Sequence, residues 1–321
     1  MLEKLAKAWR ARRVLLIGLP DAQNLYAEAL LCALGARPAR LPPDAKAHTL
    51  CRALTSGRIG AVMIPCMQDV AAGSSLTQRL DALGLILREM REAGVPLGIL
   101  CSHEDVYAPR QDAWQAEEGA PLGGRTREGL YQAILQLYAD GVGRALLGDA
   151  VTTIVCRHAP CLGSDEESVR QYSAWCRAIL GGGAPVIEHP GAQGVFLHPL
   201  DAVLGALCLG ARFFLGENDC AGAFNIAPGP AGLCANRSAC LRLMQEEGCT
   251  RAAAQAHPPC PAPRTQLSGA KIRRLCGFSP QLDAQQALTF LMEHERAQAI
   301  GDAAAQLKRR EQAERLLKML G

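Results

Sequence analysis

Four short apolar runs punctuate the first half of the chain, at residues 14–17, 61–64, 95–101 and 151–155. Each is continuous rather than alternating, the pattern of a strand covered on both faces. Helical stretches separate them. Residues 22–34 are closed by Gly35, a residue suited to the left-handed turn that ends a helix. Residues 76–93 carry Leu80, Leu83, Leu87 and Met90 at helical spacing and end at Gly94. Residues 127–138 form another helix, and residues 1–12 a short amphipathic one. Strands alternating with helices of this length predict an α/β chain, a Rossmann-like doubly wound parallel sheet with helices on both faces.

The rhythm changes after residue 160. Helices are expected at 168–180, 200–214, 271–276, 284–295 and 303–319, with short strands at 185–187 and 223–226. The Cys/Ala/Pro-rich stretch 250–264 reads as the least ordered part. The expected division is a dinucleotide-binding-type domain at 1–155 and a smaller C-terminal α+β substrate lobe at 156–321. A ligand then belongs in the crevice at the carboxyl ends of the strands.

Composition narrows the functional classes. The net charge of the 321 residues is +3 and aromatics are 4%. This gives no basis for a nucleic-acid partner. No run approaches the roughly 20 apolar residues that span a bilayer. The start, MLEKLAKAWRARRV, lacks the apolar core and cleavage site of a secretory signal. A cytoplasmic location and no membrane association are therefore expected, with the 14 Cys as thiols. Cys156, His158 and Cys161 are the nearest approach to a metal cluster. They lack the paired-Cys spacing of structural zinc, so no metal is expected.

Four stretches carry a resemblance. Val106-Tyr107 with Glu118-Gly119-Ala120-Pro121-Leu122-Gly123-Gly124 is similar to "VY…EDDPLGG". Residues 183–187 through His198-Pro199-Leu200-Asp201 resemble "GEPVVIRNPNATRPWQHVLEP". Ala221-Gly222-Ala223-Phe224-Asn225-Ile226-Ala227-Pro228 resembles "AGAWNFGP", and Leu267-Ser268 through Pro280, then Ala284–Leu291, resemble "LDSSKARRLLGWRPRWSLEEALEKT". Together, in this order, they resemble the extended short-chain dehydrogenase/reductases that act on nucleotide sugars, nearest to the CDP-glucose 4,6-dehydratases. The resemblance implies a bound NAD that takes and returns a hydride. It also implies a Gly-rich phosphate turn, a Tyr base assisted by a Lys, and acid/base groups for elimination.

The chemistry-bearing positions depart from that pattern. Of the G-x-x-G-x-x-G turn only Gly18 stands, as the remaining cofactor-binding candidate, in Gly18-Leu19-Pro20-Asp21-Ala22-Gln23-Asn24. Asp21 would set a carboxylate against a diphosphate, a repulsion on the order of a few kcal/mol. Its expected role is the N-cap of the following helix. Counting from Gly124, the Tyr position is Glu128 and the Lys position Gln132. Both are expected on a solvated helix face, with no cation beside Glu128. The catalytic candidates left are Ser102, Glu104 and Glu128. In the second half Arg157, Phe196 and His198 are the substrate-binding candidates that the resemblance leaves, Arg157 as a phosphate contact. Pro160 and Gly194 replace the family's Asn and Arg.

The leading expectation is a pseudoenzyme with a binding or partner role in sugar-nucleotide metabolism, taking a nucleotide sugar or related small ligand. The alternative is an active NAD-dependent nucleotide-sugar dehydratase or epimerase with atypical residues. The resemblance also implies pairing through two long helices per subunit, as a homodimer or as a heterodimer with an active paralogue. Leu80, Leu83, Leu87, Leu130, Ile134 and Leu137 would supply the apolar stripe; packing on the sheet is the other use for it. A redox or metal role for the thiols is a third, weaker expectation.

Overall fold

A computed structural model of the chain describes residues 1–67, 75–109, 115–124, 126–142, 145, 148–163, 169–187, 194–229, 233–234, 237–247, 255–256 and 266–321. Six parallel strands form the central sheet: β1 (Arg13–Ile17), β2 (Arg37–Leu41), β3 (Ile59–Ile64), β4 (Leu97–His103), β5 (Thr152–His158) and β6 (Gly222–Ile226). Their spatial order is β2-β1-β3-β4-β5-β6. The chain reverses its direction of travel across the sheet between β1 and β3, the position where doubly wound sheets open a crevice. Among the described residues one strand lies outside β1, whereas the dinucleotide-type order 3-2-1-4-5-6 has two.

The apolar runs form strands because both faces of each are covered. Val14 and Leu16 of β1 enter one core cluster, and Leu15 and Ile17 enter the other. Ala61 and Met63 of β3 alternate with Val62 and Ile64 in the same way. One face carries α1 (Leu2–Trp9), α2 (Ala22–Ala33) and α7 (Pro199–Phe214). The other carries α3 (Ala47–Thr55), α4 (Leu76–Glu92) and α5 (Arg127–Leu137). The second half adds α6 (Arg170–Leu180), α8 (Arg237–Glu247), α9 (Ala270–Cys276), α10 (Ala284–Ile300) and α11 (Asp302–Met319). The α/β expectation therefore holds.

Sequence reading missed β2 and α3. β2 is an edge strand, mostly exposed, containing Pro38 between Arg37 and Arg40. An edge strand needs no apolar run and tolerates Pro, so it leaves no such signal. β5 also runs past the expected end at 155, through Cys156, Arg157 and His158. The expected domain boundary thus falls inside β5, and β6, from the second half, completes the sheet. Of the stretch 250–264, only 255–256 lie within the described residues, paired with Val186 and Ile187.

The C-terminal hairpin α10–α11 packs on α2. The Tyr26 hydroxyl donates to Gln312 Oε1 at 2.6 Å, and Gln312 Nε2 donates to the Phe290 carbonyl at 2.8 Å. Gly301 turns α10 into α11 at φ 144°, a conformation that disfavours side chains. Asp201, in the first turn of α7, ties the approach to α10 onto the sheet side. Its two carboxylate oxygens accept from the backbone N–H groups of Gln281 (2.8 Å) and Leu282 (3.0 Å). Truncation would leave two buried donors without an acceptor. Asp201→Ala is expected to cost about 2 kcal/mol, on the scale of two ordinary hydrogen bonds. Urea unfolding reads this directly, and a loss under about 1 kcal/mol would show that the carboxylate is not an anchor.

Candidate functional site

The carboxyl ends of β1, β4 and β5 bring three chemistry-bearing segments together. After β1 the chain turns at Gly18 into α2. Asp21 is the N-cap, as expected, and its Oδ1 accepts from the Asn24 N–H at 2.8 Å and from Asn24 Nδ2 at 3.2 Å. Asn24 is fully buried beneath the turn. A Cβ at Gly18 would lie 2.9 Å from Asn24 Cγ, so only Gly fits. A dinucleotide diphosphate needs open N–H groups and a backbone it can approach closely here. This turn instead presents a fixed carboxylate, engages one of its N–H groups internally, and packs an amide against Gly18. These residues do not fit NAD.

At the end of β4, Ser102 Oγ lies 2.6 Å from Gln132 Oε1, and Gln132 Nε2 lies 2.8 Å from His103 Nε2. Both Gln132 and Glu104 are buried. At the end of β5, His158 Nδ1 faces the Ala159 carbonyl at 2.9 Å. That fixes the ring proton on Nδ1, so Nε2 accepts from Gln23 Nε2 at 3.1 Å. Gln23 is itself buried, and its Oε1 meets no hydrogen-bond donor. The first turn of α2 is thus stitched to β5 by an amide and an imidazole.

Glu128 and Gln132 differ from the solvated face expected of them. Gln132 bridges Ser102 and His103 inside the protein, and Glu128 forms an ion pair with the buried Arg79 of α4. Glu128 therefore has a cation after all, supplied by α4 rather than by its own helix. The structure brings Ser102 and Glu104 together on β4 and its extension, and places Glu128 one helical turn before Gln132.

The three substrate-side candidates do not converge. Arg157 is buried, with Nε donating to Gln136 Oε1 (2.8 Å) and Nη1 to the Tyr107 hydroxyl and the Glu118 carbonyl (both 2.9 Å). Tyr107 in turn donates to Asn225 Oδ1 at 2.6 Å, and the Asn225 N–H donates to Glu118 Oε1 at 2.8 Å. Sequence reading quoted Tyr107 and Asn225 as motif residues without giving them this joint role. Phe196 is core, packed edge-on against Tyr172. His198 is the buried N-cap of α7, its Nδ1 accepting from the Leu200 N–H at 3.2 Å. Cys161 Sγ lies 3.5 Å from His158 Nδ1, while Cys156 contacts Cys101. Among the described residues no cluster of three such groups is placed to hold a metal ion, and eleven of the 14 cysteines are seen as free thiols.

Burial sets the titration of this region. It holds His103, His158 and His294 down to about 4 and His198 to about 3. Unfolded, each titrates near 6.5. The folded chain binds fewer protons between those values, so stability present above pH ~6.5 is lost as pH falls toward ~4. Each histidine contributes on the order of 1.4 kcal/mol per pH unit in that window. Asp201, pushed up to about 7 by burial, works the other way, losing stability as pH rises through that range. Four groups outweigh one, so the urea midpoint is expected to drop clearly from pH 7 to pH 5. A flat or rising profile would mean that these rings are not held neutral.

No family model matches the chain, and no curated protein matches it. Solved structures do. The chain is similar to UDP-glucose 4-epimerase from Thermus thermophilus, in complex with NAD: TM-score 0.68, 17% identity, 88% of this chain and 99% of that one. UDP-glucose 4-epimerase from Thermotoga maritima, with UDP-glucose, gives TM-score 0.71 at 14% identity over 90% and 100%. The dTDP-glucose 4,6-dehydratase of Streptomyces venezuelae, with NAD and TYD bound, gives 0.69 at 16% identity over 91% and 99%. At this identity the likeness establishes the fold, over nearly the whole of each neighbour: this chain has the architecture of nucleotide-sugar epimerases and dehydratases.

Proposed function

We propose that this chain is a CDP-glucose 4,6-dehydratase-like protein that has lost NAD-dependent catalysis and acts by binding in sugar-nucleotide metabolism. The observation that carries this reading is the N-terminus of α2, capped by Asp21 and packed from within by Asn24. Glu128 and Gln132 support it, since the positions of a Tyr–Lys pair are held by an ion-paired carboxylate and a bridging amide. The shortened flank of the sheet, with one strand outside β1, supports it further. The ligand class is a nucleotide sugar, seated in the crevice at the carboxyl ends of the strands. The competing reading, an active NAD-dependent dehydratase or epimerase using Ser102, Glu104 and Glu128, draws on the closeness of Ser102 and Glu104 on β4.

Protein purified without added cofactor separates the two. Absorbance and mass spectrometry are expected to find no NAD. Incubation with NAD and either CDP-glucose or UDP-glucose is expected to give no keto-sugar by NMR. Stoichiometric NAD with turnover would establish the active enzyme instead.

The same reading includes a dimer through α4 and α5. Leu83 and Leu87 pack into the core under the sheet. Leu130 and Leu137 of α5 are 42% and 58% exposed, and they stand about two helical turns apart. Exposed leucines at this spacing suit a helix-pair interface. Sedimentation is expected to give a dimer for the native chain and a folded monomer for the Leu130→Glu, Leu137→Glu variant. A native monomer would remove the dimer from the proposal.

A further inference from the structure

A second groove runs along α2, from Pro20 in the turn after β1 and Arg40 near the end of β2 to the start of α11. Its volume is about 540 Å³, within the usual range for small-ligand sites. Glu28 and Cys32 of α2, Arg40 of β2, and Asp302, Arg309 and Arg310 of α11 line it.

Arg309 is the unusual member. It is 7% exposed, yet among the described residues it makes no hydrogen bond or ion pair within contact distance. Burial lowers its pKa, and the charges it feels are those of Tyr26, Asp302, Glu28 and Arg40. Three of those four line the groove, so the guanidinium faces into it. The two carboxylates nearby are engaged elsewhere: Glu28 with Arg40 at 3.0 Å, and Asp302 Oδ1 with Gln298 Nε2 at 2.7 Å. The Arg309 guanidinium is not among the fully enclosed polar groups; it opens into the groove, where an anion can complete it.

The backbone supplies a second attraction at the same place. α11 begins at Gly301, which offers no side-chain cap, and Asp302 and Ala303 of its first turn line the groove. An uncapped N-terminus of an 18-residue helix presents N–H groups and the positive end of the dipole. Arg310 stands at the exposed rim with no ion pair among the described residues. Three arginines against two carboxylates leave the lining net positive. A planar, five-donor guanidinium and the N–H groups of a helix start line the same groove and match the oxygens of a phosphate.

We propose that the groove between α2 and α11 binds a phosphate-bearing small molecule, held by Arg309 and the α11 N-terminus with Arg310 and Arg40 at the rim. Ser102, Glu104 and Glu128 do not line this groove, and the proposal does not depend on the function proposed for them.

Isothermal titration calorimetry on the full chain tests it with three probes: inorganic phosphate, glucose 1-phosphate and cytidine monophosphate. At least one is expected to bind, more weakly as salt is raised. Equal binding of all three identifies the free ion as the ligand's source, and preference for one ester identifies an esterified phosphate. Arg309→Met is expected to weaken binding at least about tenfold while leaving the melting temperature unchanged or higher, because it removes an unpaired buried charge. A merely structural arginine would do the reverse, lowering the melting temperature and sparing affinity. If Arg309→Met does not fold, Arg309→Lys keeps the charge and loses the fork, and the same drop in affinity is expected. Ser102→Ala, in the other crevice, is expected to bind as the native chain does. No binding of any probe, binding unchanged in the Arg309 variants, or binding lost in Ser102→Ala would overturn the proposal.

Discussion

The N-terminus of α2 is where the fold and its chemistry meet. In a doubly wound sheet this helix end is the natural seat of an anion, because its first N–H groups have no partner in the helix and its dipole is positive there. Here the chain itself provides the negative group. Asp21 takes the Asn24 N–H, Asn24 is drawn under Gly18, and Gln23 reaches across to His158. Each contact is ordinary for a capped helix. Together they make this turn a structural joint between β1, α2 and β5.

The same conversion runs through the neighbouring positions. Lys beside Tyr would create a charged, solvent-linked pair suited to proton transfer. Gln132 cannot carry charge, and its amide is well suited to bridging Ser102 and His103 in a buried place. Glu128 is of a type that could act as a base, but it is tied to Arg79 in an ion pair. His103 and His158, held neutral by burial, contribute hydrogen bonds without the proton affinity a general base at neutral pH requires. The groups at the strand ends are thus arranged to satisfy one another.

What was legible in the sequence follows from where burial leaves a pattern. β1, β3 and β4 announce themselves because both faces are covered, which writes a continuous apolar run. β2 does not, because one edge and much of its surface meet water. The motif stretches were legible for a related reason. Val106, Tyr107, Ala227 and Leu267 come from three separate stretches and meet in one small cluster, and Asn225 and Tyr107 join there by hydrogen bond. The likeness therefore rests on residues that hold the second half to the sheet. Arg157 illustrates the limit: its type and position suggested a phosphate contact, but its partners Gln136, Tyr107 and Glu118 lie far apart in sequence and could not be paired without the fold. The solvated face expected for Glu128 and Gln132 failed likewise, since Arg79 and Ser102 approach from other elements.

The packing of α10 and α11 on α2 gives the N-terminal helix a second set of constraints. Tyr26 is fixed by Gln312, and His198 packs edge-on to both Tyr26 and Phe290. One face of α2 is thereby joined to α7 and the C-terminal hairpin, while its first turn is joined to β5. A helix held at so many points cannot easily shift to admit a diphosphate at its tip, because Asn24 would have to leave a space that Gly18 and the sheet enclose. The flank facing α11 is different: Arg309 and the uncapped start of α11 line one groove, and among the described residues Arg309 has no hydrogen-bond partner in the protein. Anion-binding capacity is therefore greater on the side of α2 than at its end, the reverse of what the strand order alone would lead one to expect.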